Sequence, residues 1–524
     1  MSVIPPISEI DQPVDDLAAD SKDTSHLTRS IDQWIVPIIL GVFFAAAAAA
    51  LVMVELAEPP KTKAFHGITL SNAVNSQGAR NGLELFRDHL SWLPYPASGA
   101  VLSPDSYLLG LRLTVVAMGL IQVAALLWII RHPPASVWPW LIGPVLASVV
   151  LLLYPPINTD IFSYASFGWE ANLNINPYLI PPSDLGRDPF ARFNDWTHIT
   201  TPYGPGWTGL SRLATLFGRK DPFTVALILK AMAGAAAIGL AIATYGVIRR
   251  LTSNRNVALC AMVLVGWSPV LLIESAGAAH NDAAMMLVAV AGLFVALSEK
   301  PGSMRVGLLL IAAAALIKPI AFPLLIFAAL LRLAQPHKGA LVLAYRWALD
   351  ALAITLLAAI AFAPYWAGGK LPDALWTQQQ HLYLSRPLQV NPLWVWAFPW
   401  LAEQIGGADA AHWARSNAND ISRFCVGSLL FAGICLAVIP LVRQYRSSGA
   451  WSNTPVLIQA PVWLAVTAAL GLLPINAHAW YAIWPLAPLA LVWATTKRTG
   501  MKVLIALCFV WILVSFLVYH TWVA

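Results

Sequence analysis

The chain has 524 residues, of which 58% are hydrophobic and only 11% charged. A water-soluble domain carries about 25% charged residues, so a polar surface all round is excluded. The net charge of +6 comes from Lys and Arg lying between apolar blocks, with no basic run to make a nucleic-acid patch.

Residues 1–32 hold seven acidic residues and no apolar core, so a cleavable signal peptide is not expected. They read as a disordered cytoplasmic tail ahead of a membrane domain at 33–524. The block Val36–Val54 is long enough to cross the roughly 30 Å bilayer core as a helix. Further spans are expected near 107–130, 137–154, 222–248, 256–273, 283–298, 304–317, 319–334, 343–366, 421–441, 456–473, 479–495 and 501–520. The short pair 304–317 and 319–334 reads as two half-depth helices meeting at Lys318 and Pro319, since proline breaks a helix. The fold class is therefore an all-α polytopic membrane protein with about 13 transmembrane or half-depth helices. The cysteines Cys260, Cys425, Cys435 and Cys508 all fall inside apolar blocks, without zinc or disulfide spacing.

With the N-terminus inside, every inner connection carries a positive charge, including Arg131, Arg249, Arg250 and Arg255. The short outer connections 274–282 and 474–478 carry none. Three long loops, 56–106, 155–221 and 367–420, then lie outside and are expected to cap that face. Within the second, Trp207–Phe217 has apolar residues at helical spacing and reads as an interfacial helix. The tryptophans cluster near span ends, as interfacial anchors do. No internal repeat is evident, against inverted-repeat transporter architectures.

Polar residues gather at the outer ends of several spans. Asp160 sits just past a span, where a carboxylate at the mouth of an apolar cavity can serve as a general base. It is equally well placed to cap a helix opening at Ile161. Tyr164, Trp169, Glu170, Asn176 and Tyr178 nearby suit sugar hydroxyls and faces. Glu274, His280, Asn281 and Asp282 crowd a short outer turn, where polar groups at membrane depth are costly and point to function. Capping by Asn281 or Asp282 accounts for only one of them. Lys318, alone in an apolar run, must snorkel, pair or bind an anion such as a lipid phosphate. Arg386, in a loop with His381, Tyr383 and Asn391, is a bidentate phosphate candidate or a solvated loop residue. His478, with Trp480 and Tyr481, lies at the outer end of a late span. P-loop, GxGxxG, HExxH and D-x-D patterns are absent, so nucleotide chemistry is not expected and no metal ligands are assigned; a divalent metal stays open.

The segments TDIFSYASFGWEANLNINPY, TPYGPGW, GAAHNDAAMMLVAV, ALIKPIAFPLL and HAWYAIWPLAPLAL follow one another over about Ile157–Pro488. Their order and spacing resemble the polyprenyl-phosphomannose-dependent α-1,6-mannosyltransferases, within the GT-C membrane glycosyltransferases. The resemblance implies inverting transfer of a hexose, mannose first, from a polyprenyl-phosphate sugar to a glycan or glycolipid acceptor. The site would face outward from a bacterial cytoplasmic membrane. Asp160 matches the family's D-x-x-S-Y aspartate and would be the base. Lys318 and Arg386 are candidates for the donor phosphate. Tyr164, Glu170, Asn176, Tyr178, Tyr203, His280, Asn281, Asp282 and His478 are candidates for substrate binding. The competing reading is a lipid-linked-sugar flippase or small-solute transporter, for which the intramembrane Lys230 and Asp350 would be the residues of interest.

Overall fold

The structure is a computed structural model and describes residues 17–56, 77–92, 104–155, 159–298, 300–330, 332, 339–375, 394, 397–448, 478–497 and 499–521. Among the described residues the regular elements are all helical. The first helix, α1 (Leu17–Leu56), reaches back into the stretch expected to be a tail, so that stretch is helical from Leu17 onward. Then come α2 (Gln77–His89), α3 (Pro104–Arg131) and α4 (Ile142–Leu151). The second long loop contains α5 (Asp160–Asn172) and α6 (Pro205–Gly218). The long α7 (Pro222–Thr252) leads to α8 (Arg255–Gly266), the short α9 (Pro269–Leu272) and a π-turn at Ile273–Gly277. The remainder is α10 (Asp282–Ala296), α11 (Ser303–Ile317), α12 (Phe322–Leu330), α13 (Ala340–Phe362), α14 (Phe398–Ser416), α15 (Ala418–Ser448), α16 (Leu486–Thr495) and α17 (Thr499–Thr521).

Among the described residues five helices are long and apolar enough to cross a bilayer: Trp34–Val54, Ser106–Arg131, Pro222–Thr252, Ala340–Tyr365 and Thr499–Leu517. A sixth is α8 with α9 and the π-turn, bent by 52°. The expected half-depth pair at 304–317 and 319–334 is present as two short apolar helices, and the expected spans at 137–154, 283–298 and 479–495 are also shorter apolar helices. The span at 421–441 falls within α15, and 456–473 lies outside the described residues. Outer faces are apolar: Leu109, Leu113 and Leu120 on α3 are each more than half exposed. Such a surface is stable only against lipid. This is a membrane protein.

The centre is built around α7, which packs on α8, α10, α16 and the π-turn. Small residues allow close approach, as in membrane bundles. Gly292 on α10 faces Gly307 on α11, and a β-carbon on either would lie under 3 Å from the other's carbonyl oxygen. The two helices are antiparallel, so the start of α10 lies beside the end of α11. The break after α11 falls where the sequence places it: Lys318 is extended (φ −143°, ψ 118°), and Pro319–Ala321 forms a 3₁₀ turn before α12. α6 confirms the helix expected at Trp207–Phe217. It buries Trp207, Ser211 and Ala214 and exposes Leu213, Leu216 and Phe217, the two faces an interfacial helix needs.

The two intramembrane charges singled out in the sequence have structural partners. Lys230 on α7 donates to the carbonyls of Leu152 and Tyr154, just past the end of α4. A cation is favoured at a helix C-terminus. Asp350 on α13 accepts from Arg305 at 2.9 Å and from Arg332 at 2.6–2.8 Å, tying α11, the end of α12 and α13 together. Replacing Asp350 by Ala strips the buried Arg332 of its carboxylate. The expected loss is about 3–5 kcal/mol, read as a lower thermal midpoint in detergent, with partial recovery in the Asp350→Ala/Arg332→Leu double variant.

Candidate active site

Helix α5 begins at Asp160. The cap position is Thr159, and no side-chain cap hydrogen bond forms there. The capping role weighed for Asp160 is therefore not the one it has. Asp160 is the first helical residue, and Tyr164, four residues on, shares its face. Tyr164 meets the rings of Tyr203 and Trp207 edge-on, at 5.0 and 5.3 Å between centroids.

The second contribution comes from the π-turn. Two residues past its end at Gly277, Ala279 takes a left-handed conformation (φ 63°) that costs a non-glycine residue about 1–2 kcal/mol. The chain doubles back, and the His280 N–H bonds the Glu274 carbonyl at 2.9 Å. The imidazole then lies over the Glu274 carboxylate, with Nε2 3.2 Å from Oε2. Nδ1 faces Asp160 Oδ2 at 4.0 Å, longer than a hydrogen bond but well within charge reach. Glu274, His280 and Asp160 thus form a row of carboxylate, imidazole and carboxylate.

The third contribution is the Lys318 break. Lys318 Nζ lies 2.8 Å from Asp282 Oδ1, at the start of α10. The same oxygen accepts from Trp484 Nε1 at 2.5 Å. Tyr481 and Trp484 put their rings 5.1 and 5.5 Å from the ammonium. Trp480 lies between two histidines, stacked on His280 at 3.9 Å and on His478 at 4.4 Å. Asn281 precedes α10, yet makes no side-chain cap bond. Its buried amide nitrogen and oxygen have no hydrogen-bond partner among the described residues.

The electrostatics follow from this enclosure. Burial pushes the Asp160 carboxyl up to about 6. The Lys318 charge and a hydrogen bond with Trp196 pull it down, while Asp282 and Glu274 push it further up. Burial, helped by the Lys318 charge, lowers His478 to about 3, so this imidazole is neutral at physiological pH. Burial and the neighbouring anionic charge keep the Tyr164 and Tyr203 phenols protonated. Among the described residues no three His, Cys, Asp or Glu side chains are grouped to hold a metal ion.

The structure thus brings together Asp160, Tyr164, Tyr203, His280, Asn281, Asp282, Lys318 and His478. Three substrate-binding candidates are drawn elsewhere. The Asn176 amide donates to the Tyr365 carbonyl at 2.7 Å and its oxygen accepts from the Tyr178 N–H. Tyr178 is buried against Tyr365 and Phe362 and shares a hydrogen bond with Thr208. Glu170, three turns along α5 from Asp160, is fully buried, and its carboxylate has no hydrogen-bond partner among the described residues. Asn176 and Tyr178 are thus engaged within the second loop and with Tyr365. Arg386 lies outside the described residues. Sequence reasoning had no signal for Trp196, which comes from a distant part of the loop. Trp480 reads in the sequence as an interfacial anchor; its place two residues after His478 is the available clue.

Residues 68–334, just over half of the chain, match the family described as alpha-(1->6)-mannopyranosyltransferase, N-terminal domain, and the chain belongs to that family. The match includes Asp160, Glu274, His280, Asp282 and Lys318 and leaves out His478, Trp480 and Trp484. An alpha-(1->6)-mannopyranosyltransferase A of Mycobacterium tuberculosis is 27% identical over 284 residues, 52% of this chain and 51% of the relative. One of Corynebacterium glutamicum is 28% identical over 162 residues, 29% of this chain and 31% of the relative. The chain therefore spans about half or less of the curated relatives it matches. No solved structure matches.

Glu170 gives a test of the electrostatics. Burial first, then the negative charges of Asp188 and Asp184, raise its carboxyl from the ordinary 4.5 to about 9. The folded protein therefore holds a proton that the unfolded chain releases, so this residue's contribution is intact below pH 4.5 and declines as pH rises towards 9. Glu170→Gln needs no proton. We expect its thermal midpoint to match the wild type near pH 4.5 and to exceed it at pH 8, by at least about 2 °C.

Proposed function

We propose that this member of the family transfers mannose, with inversion, from a polyprenyl-phosphate donor to a mannose-containing glycan or glycolipid, at the outer face of a bacterial cytoplasmic membrane. One observation carries this reading: Asp160, the Glu274–His280 pair and the Asp282–Lys318 pair meet in one buried cluster, although they come from three separate parts of the chain. The names of the curated relatives favour mannose and an α-(1→6) linkage.

In this reading the acceptor hydroxyl gives its proton to the Asp160 carboxylate. The acceptor oxygen attacks the anomeric carbon from the face opposite the phosphate. The bond from that carbon to the phosphate oxygen breaks, and its electron pair leaves with the polyprenyl phosphate. Phosphate is already a good leaving group, so charge stabilisation matters more than protonation. Lys318, at the mouth of the cluster, supplies it and exchanges part of its bond with Asp282 for the donor phosphate. His280, held by Glu274, keeps the Asp160 carboxylate oriented and stabilises it once protonated. Tyr164, Tyr203 and the Asn281 amide offer hydrogen bonds to sugar hydroxyls, and Trp480 with His478 walls the site. A hexose other than mannose, or a pentose, on the same lipid carrier fits the same chemistry.

A flippase or small-solute transporter would use ionisable groups along a path through the membrane interior. Lys230 and Asp350, the two intramembrane groups singled out in the sequence, instead hold helices together.

The test is extension of a short α-mannoside by the purified protein in detergent, with polyprenyl-phosphomannose as donor. Asp160→Asn should lower kcat/KM at least about 100-fold; unchanged transfer would remove Asp160 as the base. In the wild type, protonation of the base stops the reaction, so kcat/KM should rise with pH through a limb near 6. A limb at the ordinary aspartate value of 3.8 would contradict the buried base. Asn281→Leu removes a buried, unpartnered amide, so it should leave thermal stability unchanged or higher. Its kcat/KM should fall by about tenfold, the cost of a lost hydrogen bond to substrate. Equal activity with equal stability would exclude Asn281 from substrate contact.

A further inference from the structure

A cavity lies at the end of the bundle away from the candidate active site. Arg250, near the end of α7, donates to the Phe294 carbonyl near the end of α10. Asp282 opens α10, which has 15 residues. The end of α7 is therefore about 20 Å from the candidate active site along the helix axis. There, the α7–α8 corner and the segment before α4 enclose a cavity of about 390 Å³.

The lining of this cavity has two parts. Arg249 and Arg255 form a basic rim, and no acidic residue is among the described residues that line the cavity. Each guanidinium is held by a backbone carbonyl, Arg249 by Ser253 and Arg255 by Ala135. A guanidinium has five N–H donors, so donors remain for an anion. Ile242 and Met262 form an apolar wall, and Ile242 is 41% exposed on the outer face of α7, where lipid lies. Trp138, 66% exposed, and Tyr245 complete the mouth, the residue types that sit at headgroup level.

We propose that this cavity binds an anionic glycerophospholipid of the leaflet opposite the candidate active site. Its phosphate lies between Arg249 and Arg255, and an acyl chain runs along Ile242. Charge complementarity selects the occupant. Basic pockets between membrane helices take acidic lipid headgroups, at about 1 kcal/mol for each Lys or Arg near the surface. A free phosphate would make no use of the apolar wall or of its opening towards lipid.

Native mass spectrometry of the delipidated full chain, titrated with phosphatidylglycerol, phosphatidylcholine or inorganic phosphate, tests the site. The expected result is one tight phosphatidylglycerol, bound about tenfold or more tighter than phosphatidylcholine. Arg249→Gln/Arg255→Gln should abolish that preference. Lys300→Gln, which removes a positive charge at the same end but outside the cavity, should keep it. Ile242→Trp retains both arginines and obstructs the acyl path, and should also weaken the tight lipid. Equal binding of both lipids, an unaltered preference in the double arginine variant, or displacement by millimolar inorganic phosphate would each overturn the proposal. Monodispersity of the variants on gel filtration, and an unchanged thermal midpoint without added lipid, separate lost binding from lost folding.

Discussion

The buried Lys318–Asp282 pair is the interaction on which the rest of the site depends. Asp282 is fully buried and Lys318 nearly so. Desolvating two such charges costs several kcal/mol each, which their attraction offsets only with good geometry and further hydrogen bonds. The geometry is good, and the further bonds all fall on one carboxylate oxygen, Oδ1, while Oδ2 is buried with no hydrogen-bond partner among the described residues. The N–O distance is 2.8 Å, Trp484 donates to the same carboxylate oxygen, and two aromatic rings lie beside the ammonium. The pair joins the start of α10 and the break after α11 to the turn before α16, which is far from both in the chain. It sets the field felt by Asp160, because Lys318 opposes the rise that burial imposes on that carboxyl.

Two kinds of buried polarity are present, and they differ in completeness. Asp350 uses both carboxylate oxygens on two arginines, and Lys230 binds two carbonyls. Such saturated groups hold helices together. At the opposite end Asn281 is buried with no partner among the described residues, and the carboxylate of Asp160 keeps part of its surface open. Unsatisfied polar groups are expensive in a low-dielectric setting. Such groups are spread over the described residues, Glu170 and Ser148 among them, and Asn281 is placed beside the candidate catalytic carboxylate, where a polyhydroxylated substrate can pair with it.

Much of the fold was legible because apolar blocks of fixed length report spans directly. The Lys318–Pro319 break and the α6 helix also came from local rules, proline chemistry and helical spacing. The cluster at Glu274–Asp282 stood out because charge at membrane depth is rare. Glu170, Asn176 and Tyr178 are drawn away from the Asp160 cluster for a physical reason. Their types suit sugars, but type does not give direction. On a helix, Asp160 and Tyr164 share a face, while Glu170 lies ten residues on, about 15 Å further along the axis. The strained turn at Ala279 and the Trp196 contact are set by tertiary packing and leave no local signature.

The central claim is that Asp160 titrates inside the field of the Lys318–Asp282 pair. Infrared difference titration of the carboxyl band, wild type against Asp160→Asn, measures this directly. The account predicts a midpoint of about 6 for Asp160, moving upward in Lys318→Met as the opposing positive charge is lost. A midpoint near the ordinary value of 3.8, or one that Lys318→Met leaves in place, would contradict it.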